Sequence, residues 1–182
     1  MQERRGDIMN ITILRHPTDK DWERCKMLAM NTIGKTWTGD VIEDWKVKIL
    51  RARHSPIRTL MFTIKMEIPY YVSVHFVRHK FGVEHYVSTQ RNDRQKKYDR
   101  EEAKQSVPVV HIMDINAEEL INIANRRLCN QADPTTRKVM KLIVEEVLKT
   151  NPEFKSELVP QCMRYSHHFC PEYKPCGKMN KE

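Results

Sequence analysis

The chain has 182 residues, 40% hydrophobic and 31% charged, which predicts one globular domain over residues 1–182 and excludes a disordered protein. The first ten residues, MQERRGDIMN, are charged and every later apolar run is short, so we expect neither a signal peptide nor a membrane-spanning helix. The net charge of +8 favours anionic partners such as nucleotides, folates, nucleic acid or phospholipid, whereas a Gly-rich phosphate loop is excluded because no GxGxxG or Walker motif is present.

The first third of the chain carries two helical patterns followed by a strand pattern. Thr18, with Asp21 three positions later, predicts an N-capped helix. Its apolar face would consist of Trp22, Cys25, Ala29 and Ile33. A second helix is expected after Asp40 and should end before Pro56. Its inner face would consist of Ile42, Trp45 and Ile49. Residues 59–68, TLMFTIKMEI, alternate apolar and charged side chains and predict a strand.

Pro69 is suited to the first turn of a third helix, which we expect to run over residues 70–79. That helix would present one shared face made of Tyr71, His75, Arg78 and His79. An extended strand or loop is expected around residues 86–94. The apolar run VPVVHIMDI, residues 107–115, predicts a buried strand.

Two further helices complete the prediction. Asn116 is a typical N-cap, with Glu119 as its reciprocal partner. The apolar stripe behind it would be Leu120, Ile121, Ala124 and Leu128. Pro134 opens the last long helix, which should end before Pro152. Its inner face would be Val139, Leu142, Ile143 and Val147. These elements predict a single helix-rich α+β domain.

Cations and hydroxyls are concentrated in FVRHKFGVEHYVSTQRNDR, residues 76–94. Arg78 can bind a phosphate or pyrophosphate through a guanidinium fork, and Lys80 can bind it as a point charge. Ser88 and Thr89 can donate hydroxyl hydrogen bonds to a phosphate, and Arg91 offers a second fork. Asn116 and Arg127 are about three helical turns apart on one predicted helix and can therefore line one pocket. The pattern indicates a bound anion.

Several segments, in chain order, resemble the flavin-dependent thymidylate synthases. Arg78-His79-Lys80, seven residues and Ser88 resemble the family signature Arg-His-Arg, seven or eight residues and Ser. RHSPIRTLMFTIKME resembles the family segment His-x-Ser-Pro-Phe-Glu-His and its strand, and AKQSVP resembles Ala-Arg-x-x-Leu-Pro. NAEELINIANRRLCNQA resembles the Asn-Ala-Arg-Glu-Leu helix, and CMRYSHHFCPEYKPCG resembles the Cys-rich tail of some members. The resemblance covers roughly residues 10–178.

The resemblance implies a fold with an antiparallel sheet and an enzyme that makes dTMP from dUMP. Methylenetetrahydrofolate would supply the carbon, NADPH would reduce FAD, and the reduced flavin would deliver the hydride, so the cofactor carries the difficult chemistry. No enzyme side chain would act as a covalent nucleophile. The resemblance also implies a homotetramer with active sites between subunits, and a cytoplasmic enzyme encoded by a bacterium or a phage.

The matched positions assign roles to individual residues. The expected FAD contacts are His54, Ser55, Arg78, His79, Lys80, Asn116 and Asn122. The expected dUMP contacts are His75, Arg78, Ser88, Thr89, Arg91, Lys104 and Arg127. Arg127 would also be the catalytic residue, because it matches the arginine that grips the uracil ring, where a fixed cation stabilises enolate-like charge as C5 attacks the methylene donor.

Several positions depart from the family pattern. Lys80 stands in place of an arginine and loses the bidentate fork. Arg58 and Thr59 stand where Glu-His is usual, and Glu118 stands where an arginine is usual, which reverses a charge near the flavin. These departures keep open an alternative function, the synthesis of another C5-modified pyrimidine nucleotide.

A second alternative is a non-catalytic, basic nucleic-acid-binding module, favoured by the net charge and by RNDRQKKYDR, residues 91–100. That run interleaves acids with its cations, and no stacking platform or helix-turn-helix pattern is present, so nucleic acid is not the partner we expect. The Cys-rich tail, residues 161–182, could complete a zinc site from Cys162, Cys170 and Cys176 with His167 or His168. Because no CxxC knuckle is present, free thiols and no metal are expected.

Overall fold

A four-stranded antiparallel sheet forms the floor of the fold in the computed structural model, which describes residues 9–96, 99–164 and 170–178. The strand order is β1-β2-β4-β3. The strands are β1 (Asn10–Arg15), β2 (Met61–Pro69), β3 (Val83–Val87) and β4 (Pro108–Asn116). The sheet confirms the predicted strands in β2 and β4, whereas β1 was not predicted and β3 begins earlier than the expected extended segment.

Five α-helices lie along the described part of the chain. They are α1 (Asp19–Asn31), α2 (Glu43–Ala52), α3 (Tyr70–Phe76), α4 (Ala117–Arg127) and α5 (Pro134–Thr150). A 3-10 helix, Ser55–Thr59, joins α2 to β2. The helix-rich α+β architecture predicted from the sequence is therefore confirmed.

One hydrophobic core lies between the helices and the inner face of the sheet. The alternation of β2 buries Phe62, Ile64, Met66 and Ile68, while Lys65 and Glu67 of the same strand are exposed. α4 and α5 contribute the buried side chains Leu120, Ile121, Ala124, Val139, Ile143 and Val147. Burial of each large aliphatic side chain contributes about 2 kcal/mol to folding.

The helix starts follow from local capping. The backbone N–H of Thr18 donates to the carboxylate of Asp21 at 2.9 Å, as the capping box predicts. Asn116 Oδ1 accepts from the backbone N–H of Glu119 at 2.9 Å, which confirms the N-cap of α4. The expected reciprocal contact, in which the side chain of Glu119 accepts the backbone N–H of Asn116, is wrong. That N–H donates to the carbonyl oxygen of Gly82 at 2.9 Å instead. Glu119 is thereby free to make side-chain contacts in the candidate site.

Three expected inward positions are wrong. Ile33 lies beyond the end of α1 and is 62% exposed, and Ile42 is the residue before α2 and is 68% exposed. Leu142 is only half-buried, since Val139 and Ile143 take the inner positions of α5. The described helices include none long and apolar enough to cross a lipid bilayer.

The third helix is shorter than predicted. α3 ends at Phe76, so Arg78 and His79 lie outside it and share no helical face with Tyr71 and His75. The N–H of His79 donates to the carbonyl oxygen of Phe76 at 3.0 Å, which turns the chain away from the helix. Residues 78–82 therefore form a loop between α3 and β3, and this loop is the first component of the candidate site.

Candidate functional site

The 78–82 loop is held at two backbone carbonyls. The carbonyl oxygen of His79 lies 2.8 Å from Nε2 of His85, and that of Gly82 accepts the N–H of Asn116. Gly82 has a φ of 73°, and a Cβ there would lie 2.5 Å from Nδ2 of Asn116. Only glycine allows this close approach, so the loop and the start of α4 pack as one unit.

A buried carboxylate orients the ring of His79. Oε1 of Glu119 lies 3.1 Å from Nδ1 of His79, and its Oε2 accepts from Nδ2 of Asn122 at 3.1 Å. Glu119 is 8% exposed. The opposite ring nitrogen, Nε2 of His79, is buried and has no hydrogen-bond partner among the described residues. A buried polar atom without a partner is costly, so this nitrogen is well placed to meet a ligand.

Arg53 connects α2 to the same cluster, and sequence reasoning missed it. Its Nη1 donates to the carbonyl oxygen of Glu118 at 2.9 Å and to Oδ1 of Asn122 at 3.2 Å. Its Nη2 donates to Oδ1 of Asn125 at 3.1 Å. Arg53 has a φ of 55°, a left-handed conformation that ends α2. Its position directly before His54, inside a segment matched to the family, was the available signal.

Two adjoining cavities open beside these residues. One, of about 330 Å³, is lined by Arg53, His79 and Arg126, together with Glu119 and Asn122. The other, of about 340 Å³, is lined by Phe81, Gly82, Asn116 and Glu118, again with Glu119 and Asn122. Glu119 and Asn122 form the wall that the two cavities share. Three expected FAD contacts, His79, Asn116 and Asn122, are therefore together, and Lys80 is exposed in the adjacent loop.

Arg127 projects uncompensated positive charge from the end of α4. Its Nη2 donates to the carbonyl oxygen of His75 at 2.6 Å, and its Nε is buried without a partner in the described part of the chain. Burial lowers the pKa of the Arg127 guanidinium, and the nearby charges of Arg78 and Arg126 lower it further. None of the ion pairs between described residues involves these three arginines. An anionic ligand would relieve their mutual repulsion.

His75 joins α3 to both α4 and α5. Its Nδ1 lies 2.6 Å from the hydroxyl oxygen of Thr136, and its carbonyl oxygen receives Arg127. Thr136 in turn donates its backbone N–H to the N-cap carboxylate of Asp133 at 2.8 Å. The ring of His75 is therefore engaged by the first turn of α5, and its contribution to the site in this structure is its carbonyl oxygen.

The remaining expected dUMP contacts lie near the far end of β4. Ser88 pairs with Val110, donating its N–H at 2.8 Å and accepting at Oγ at 3.1 Å. Val110 and Asn116 are six residues apart on one strand, which corresponds to about 20 Å. Thr89 accepts the N–H of Arg91 at 3.2 Å, and Lys104 lines a separate cavity of about 580 Å³. Among the described residues, no hydrogen bond, ion pair or cavity joins Ser88, Thr89, Arg91 or Lys104 to Arg127.

Arg91 is already engaged by a neighbouring acid. Its Nε and Nη2 donate to the two carboxylate oxygens of Asp93 at 2.9 and 2.7 Å. Arg94 also contacts this carboxylate at 3.6 Å. Because the pair is exposed, the interaction is weak, and a phosphate could replace the carboxylate.

His54 and Ser55 face a different cavity. It has a volume of about 600 Å³ and lies between α1 and α2, with Met30, Trp45 and Ile49 in its lining. Its lining is largely apolar, unlike the polar cavities around Glu119. These two expected FAD contacts therefore line a different cavity from His79, Asn116 and Asn122.

Two of the departures from the family pattern contact each other. Nε of Arg58 donates to the carboxylate of Glu118, and both residues line the 340 Å³ cavity. The contact with Glu118 raises the pKa of Arg58. The exchanged charges at these two positions therefore compensate each other beside the expected flavin contacts.

Cys129, just after α4, lies near the cysteines of the C-terminal tail. Nε2 of Gln131 donates to the carbonyl oxygen of Lys174 at 2.7 Å, which ties the end of α4 to the tail. Burial raises the pKa of the Cys162 thiol, with smaller contributions from Cys170, Cys129 and Cys176. In residues 9–96, 99–164 and 170–178, no group of three or more His, Cys, Asp or Glu side chains is arranged to hold a metal ion. The expected zinc ligands His167 and His168 lie outside the described residues.

Comparison with known proteins gives the fold. No family model and no curated protein matches the sequence. The UMP/dUMP methylase PolB from Streptomyces cacaoi, bound with 5-bromo-dUMP, superposes with a TM-score of 0.61 over 84% of this chain and 97% of that chain, at 13% identity. Thymidylate synthase X from Helicobacter pylori, crystallised with FAD and dUMP, superposes with a TM-score of 0.60 over 87% of this chain and 100% of that chain, at 12% identity. The chain has the flavin-dependent thymidylate synthase fold that the sequence predicted.

Proposed function

We propose that this chain is a flavin-dependent enzyme that methylates C5 of dUMP to give dTMP, with methylenetetrahydrofolate as the carbon donor and NADPH as the reductant. The observation that carries the proposal is the cationic group of Arg78, Arg126 and Arg127, which has no ion-pair partner among the described residues and of which Arg126 lines the polar 330 Å³ cavity. The solved structures that share the fold support it, because they are named for uridine-nucleotide methylation and thymidylate synthesis.

The residues around the two cavities fit FAD. Nε2 of His79 is a buried polar atom without a described partner, and Gly82 lets the side chain of Asn116 pack directly against the loop that lines the second cavity. Asn116 and Asn122 offer amide groups to the flavin edge, and Arg78 offers positive charge to the pyrophosphate. FAD, when bound, supplies the hydride chemistry that no side chain can supply.

The substrate role falls to Arg127. The carbonyl oxygen of His75 fixes one end of its guanidinium, so the remaining N–H groups are oriented before a ligand arrives. If a uracil ring packed against Arg127, the guanidinium would lie beside a carbonyl oxygen of the ring. The enolate-like negative charge that makes C5 nucleophilic towards the methylene carbon resides on that oxygen, and a half-buried cation stabilises this charge more than water does.

We infer that the phosphate contacts come from a second copy of the chain. Ser88 pairs with Val110 near one end of β4, whereas Asn116, about 20 Å away by strand length, lines the cavity expected to hold the flavin. Among the described residues no hydrogen bond or cavity joins Ser88 or Arg91 to Arg127. A homotetramer with active sites between subunits would bring Ser88, Thr89, Arg91 and Lys104 of one chain to Arg127 of another. In that arrangement the phosphate would displace Asp93 from Arg91.

Another pyrimidine nucleotide product is the second candidate, and the Arg58–Glu118 pair favours it. The pair places a carboxylate in the wall of the 340 Å³ cavity at a position where the family usually has an arginine. A solved structure with this fold is named as a UMP/dUMP methylase, so the fold is compatible with a ribonucleotide substrate. Binding of nucleic acid is less well supported, because Asp93 engages both Arg91 and Arg94 in the basic run.

The test is product identification by mass spectrometry. The protein is incubated with FAD, NADPH, methylenetetrahydrofolate and, in separate reactions, dUMP, UMP or dCMP. Conversion of dUMP to dTMP supports the first proposal, and methylation of UMP or dCMP alone supports the second. Consumption of none of the three, by protein that has taken up FAD, contradicts both.

A further inference from the structure

Two histidines form a hydrogen-bonded pair beneath the 78–82 loop. Nε2 of His111 lies 2.9 Å from Nδ1 of His85, and Nδ1 of His111 lies 3.1 Å from the hydroxyl oxygen of Ser73. His111 and Ser73 are buried and His85 is half-buried. On its other side, Nε2 of His85 reaches the carbonyl oxygen of His79 at 2.8 Å. A continuous chain of contacts therefore runs from α3 through β4 and β3 to the loop.

The chemistry of the partners fixes the direction of these bonds. A carbonyl oxygen only accepts, so Nε2 of His85 carries the proton that binds His79. In a neutral pair Nδ1 of His85 then accepts, Nε2 of His111 donates to it, and Nδ1 of His111 accepts from the hydroxyl of Ser73. With both rings protonated at Nε2, all four ring nitrogens of the two histidines have a hydrogen-bond partner. The last hydrogen bond of this chain is the one to the 78–82 loop.

Both histidines lie in strands of the sheet, and His85 contacts the 78–82 loop. His85 is paired across the sheet with Met113, and His111 lies two residues before Met113, so the two rings are diagonal neighbours on the inner face. The other positions of that face on β2 are apolar, as a core requires. Two imidazoles are costly there unless their hydrogen bonds are complete, and the outermost bond is to His79.

We propose that His85, ordered by His111, is a positioning residue that sets the backbone of the 78–82 loop and thereby aims His79 and Arg78 at the flavin. This inference rests on the proposed function for its ligand, whereas the anchor itself rests on the contacts alone. The carbonyl of His79 is held by His85 while its ring is held by Glu119, so both halves of the residue are fixed. The opposite end of the loop is fixed by Asn116 at Gly82.

The test compares FAD affinity, measured by flavin fluorescence titration, in the wild type, His85→Ala and His85→Gln. The amide of Gln can donate to a carbonyl at the distance reached by Nε2 of histidine, so it restores the anchor without the ring. Glu84→Ala is the matched control, because its exposed side chain points to the opposite face of the same strand. We expect about tenfold weaker FAD binding in His85→Ala, most of it restored in His85→Gln, and an unchanged value in Glu84→Ala.

A spectroscopic measurement tests the anchor in the flavin-free full-length protein. Nitrogen-15 NMR of the histidine rings is expected to show protonated Nε2 on both His85 and His111 at neutral pH. A proton on Nδ1 alone in His85 would overturn the anchor, since that tautomer cannot bind the carbonyl of His79. Equal FAD affinity in wild type and His85→Ala would overturn the positioning role.

The two failures are distinguishable. If the wild type takes up no FAD, the proposed function fails and the flavin-directed part of this inference fails with it, while the tautomer measurement still decides whether the loop is anchored. If His85→Ala loses affinity but His85→Gln recovers none of it, the loss comes from a disturbed core, and the positioning role is overturned.

Discussion

Arg127 donates a hydrogen bond of 2.6 Å from Nη2 to the carbonyl oxygen of His75, which ties the last residue of α4 to α3. One end of the guanidinium is thereby fixed, while its Nε is buried without a described partner. A side chain held in this way does not have to be ordered when a substrate binds. This relationship is the structural basis for assigning Arg127 to the reacting ring.

The substitution Arg127→Ala is expected to abolish most turnover while leaving FAD bound. The fixed cation acts on charge that develops in the reaction, and removal of such a group costs about a hundredfold or more in kcat. Stopped assays with dUMP, together with the flavin absorbance of the purified variant, check both parts. The control is Arg24→Ala, which removes an exposed arginine from α1. Loss of flavin from Arg127→Ala would show that the division between substrate and cofactor roles is wrong.

Arg78→Ala is expected to weaken FAD binding about tenfold, because it removes a charged hydrogen bond to the pyrophosphate. Arg78→Lys should recover part of the affinity, since it restores the charge but not the fork. Equilibrium dialysis of FAD against each variant measures the effect. An unchanged affinity in Arg78→Ala would remove this residue from the cofactor site.

Glu118→Gln is expected to tighten FAD binding by about threefold, because it removes a negative charge from a cavity that receives an anion. Glu118 pairs with the exposed Arg58, so its loss should change Tm little. Flavin titration and a thermal melt measure the two effects, and Glu145→Gln on the exposed face of α5 is the charge-matched control. Weaker FAD binding in Glu118→Gln would mean that the Arg58–Glu118 pair itself shapes the flavin site.

Because of His111, we expect the free energy of unfolding to fall in acid. Burial and the neighbouring His85 lower the pKa of His111 from 6.5 to about 4. The unfolded chain therefore binds this proton at a higher pH than the native protein does, and stability falls as the pH decreases from 6.5 towards 4. The contribution lost between about pH 7 and about pH 4.5 is on the order of 2 kcal/mol.

Urea denaturation at these two pH values measures the loss. His111→Gln can still form hydrogen bonds through its amide but cannot titrate. Between the two pH values it should therefore lose less stability than the wild type, by on the order of 2 kcal/mol. His16→Gln, which replaces a histidine near the surface before α1, is the matched control. Equal losses in wild type and His111→Gln would contradict the prediction.

The sequence predicted most of the regular structure because its local signals were strong. The Thr18–Asp21 capping box, the Asn116 N-cap and the alternation of β2 each specify an element within a few residues. β1 was missed because it is a six-residue edge strand whose side chains are largely exposed. The end of α3 was missed because no helix breaker precedes Gly82, and the turn depends on contacts with β3 and α4.

The candidate site was only partly accessible from the sequence. The family resemblance assigned both Asn116 and Asn122 to the cofactor, and the Arg-His-Lys motif indicated His79. The histidine pair could not be found, because His85 and His111 meet only through the register of β3 against β4. The pairing of Ser88 with Val110, towards the end of β4 opposite to Asn116, likewise follows from the sheet, a tertiary property that residue spacing does not contain.

The central claim is that the cations of the 78–82 loop serve FAD and that Arg127, at the end of α4, serves the uracil ring of a nucleotide. The most direct measurement is the visible absorption spectrum of the purified protein, before and after FAD is added and then dUMP. The account predicts a bound oxidised-flavin band that shifts when dUMP binds, because both ligands would share one site. No flavin uptake, with or without dUMP, would contradict it.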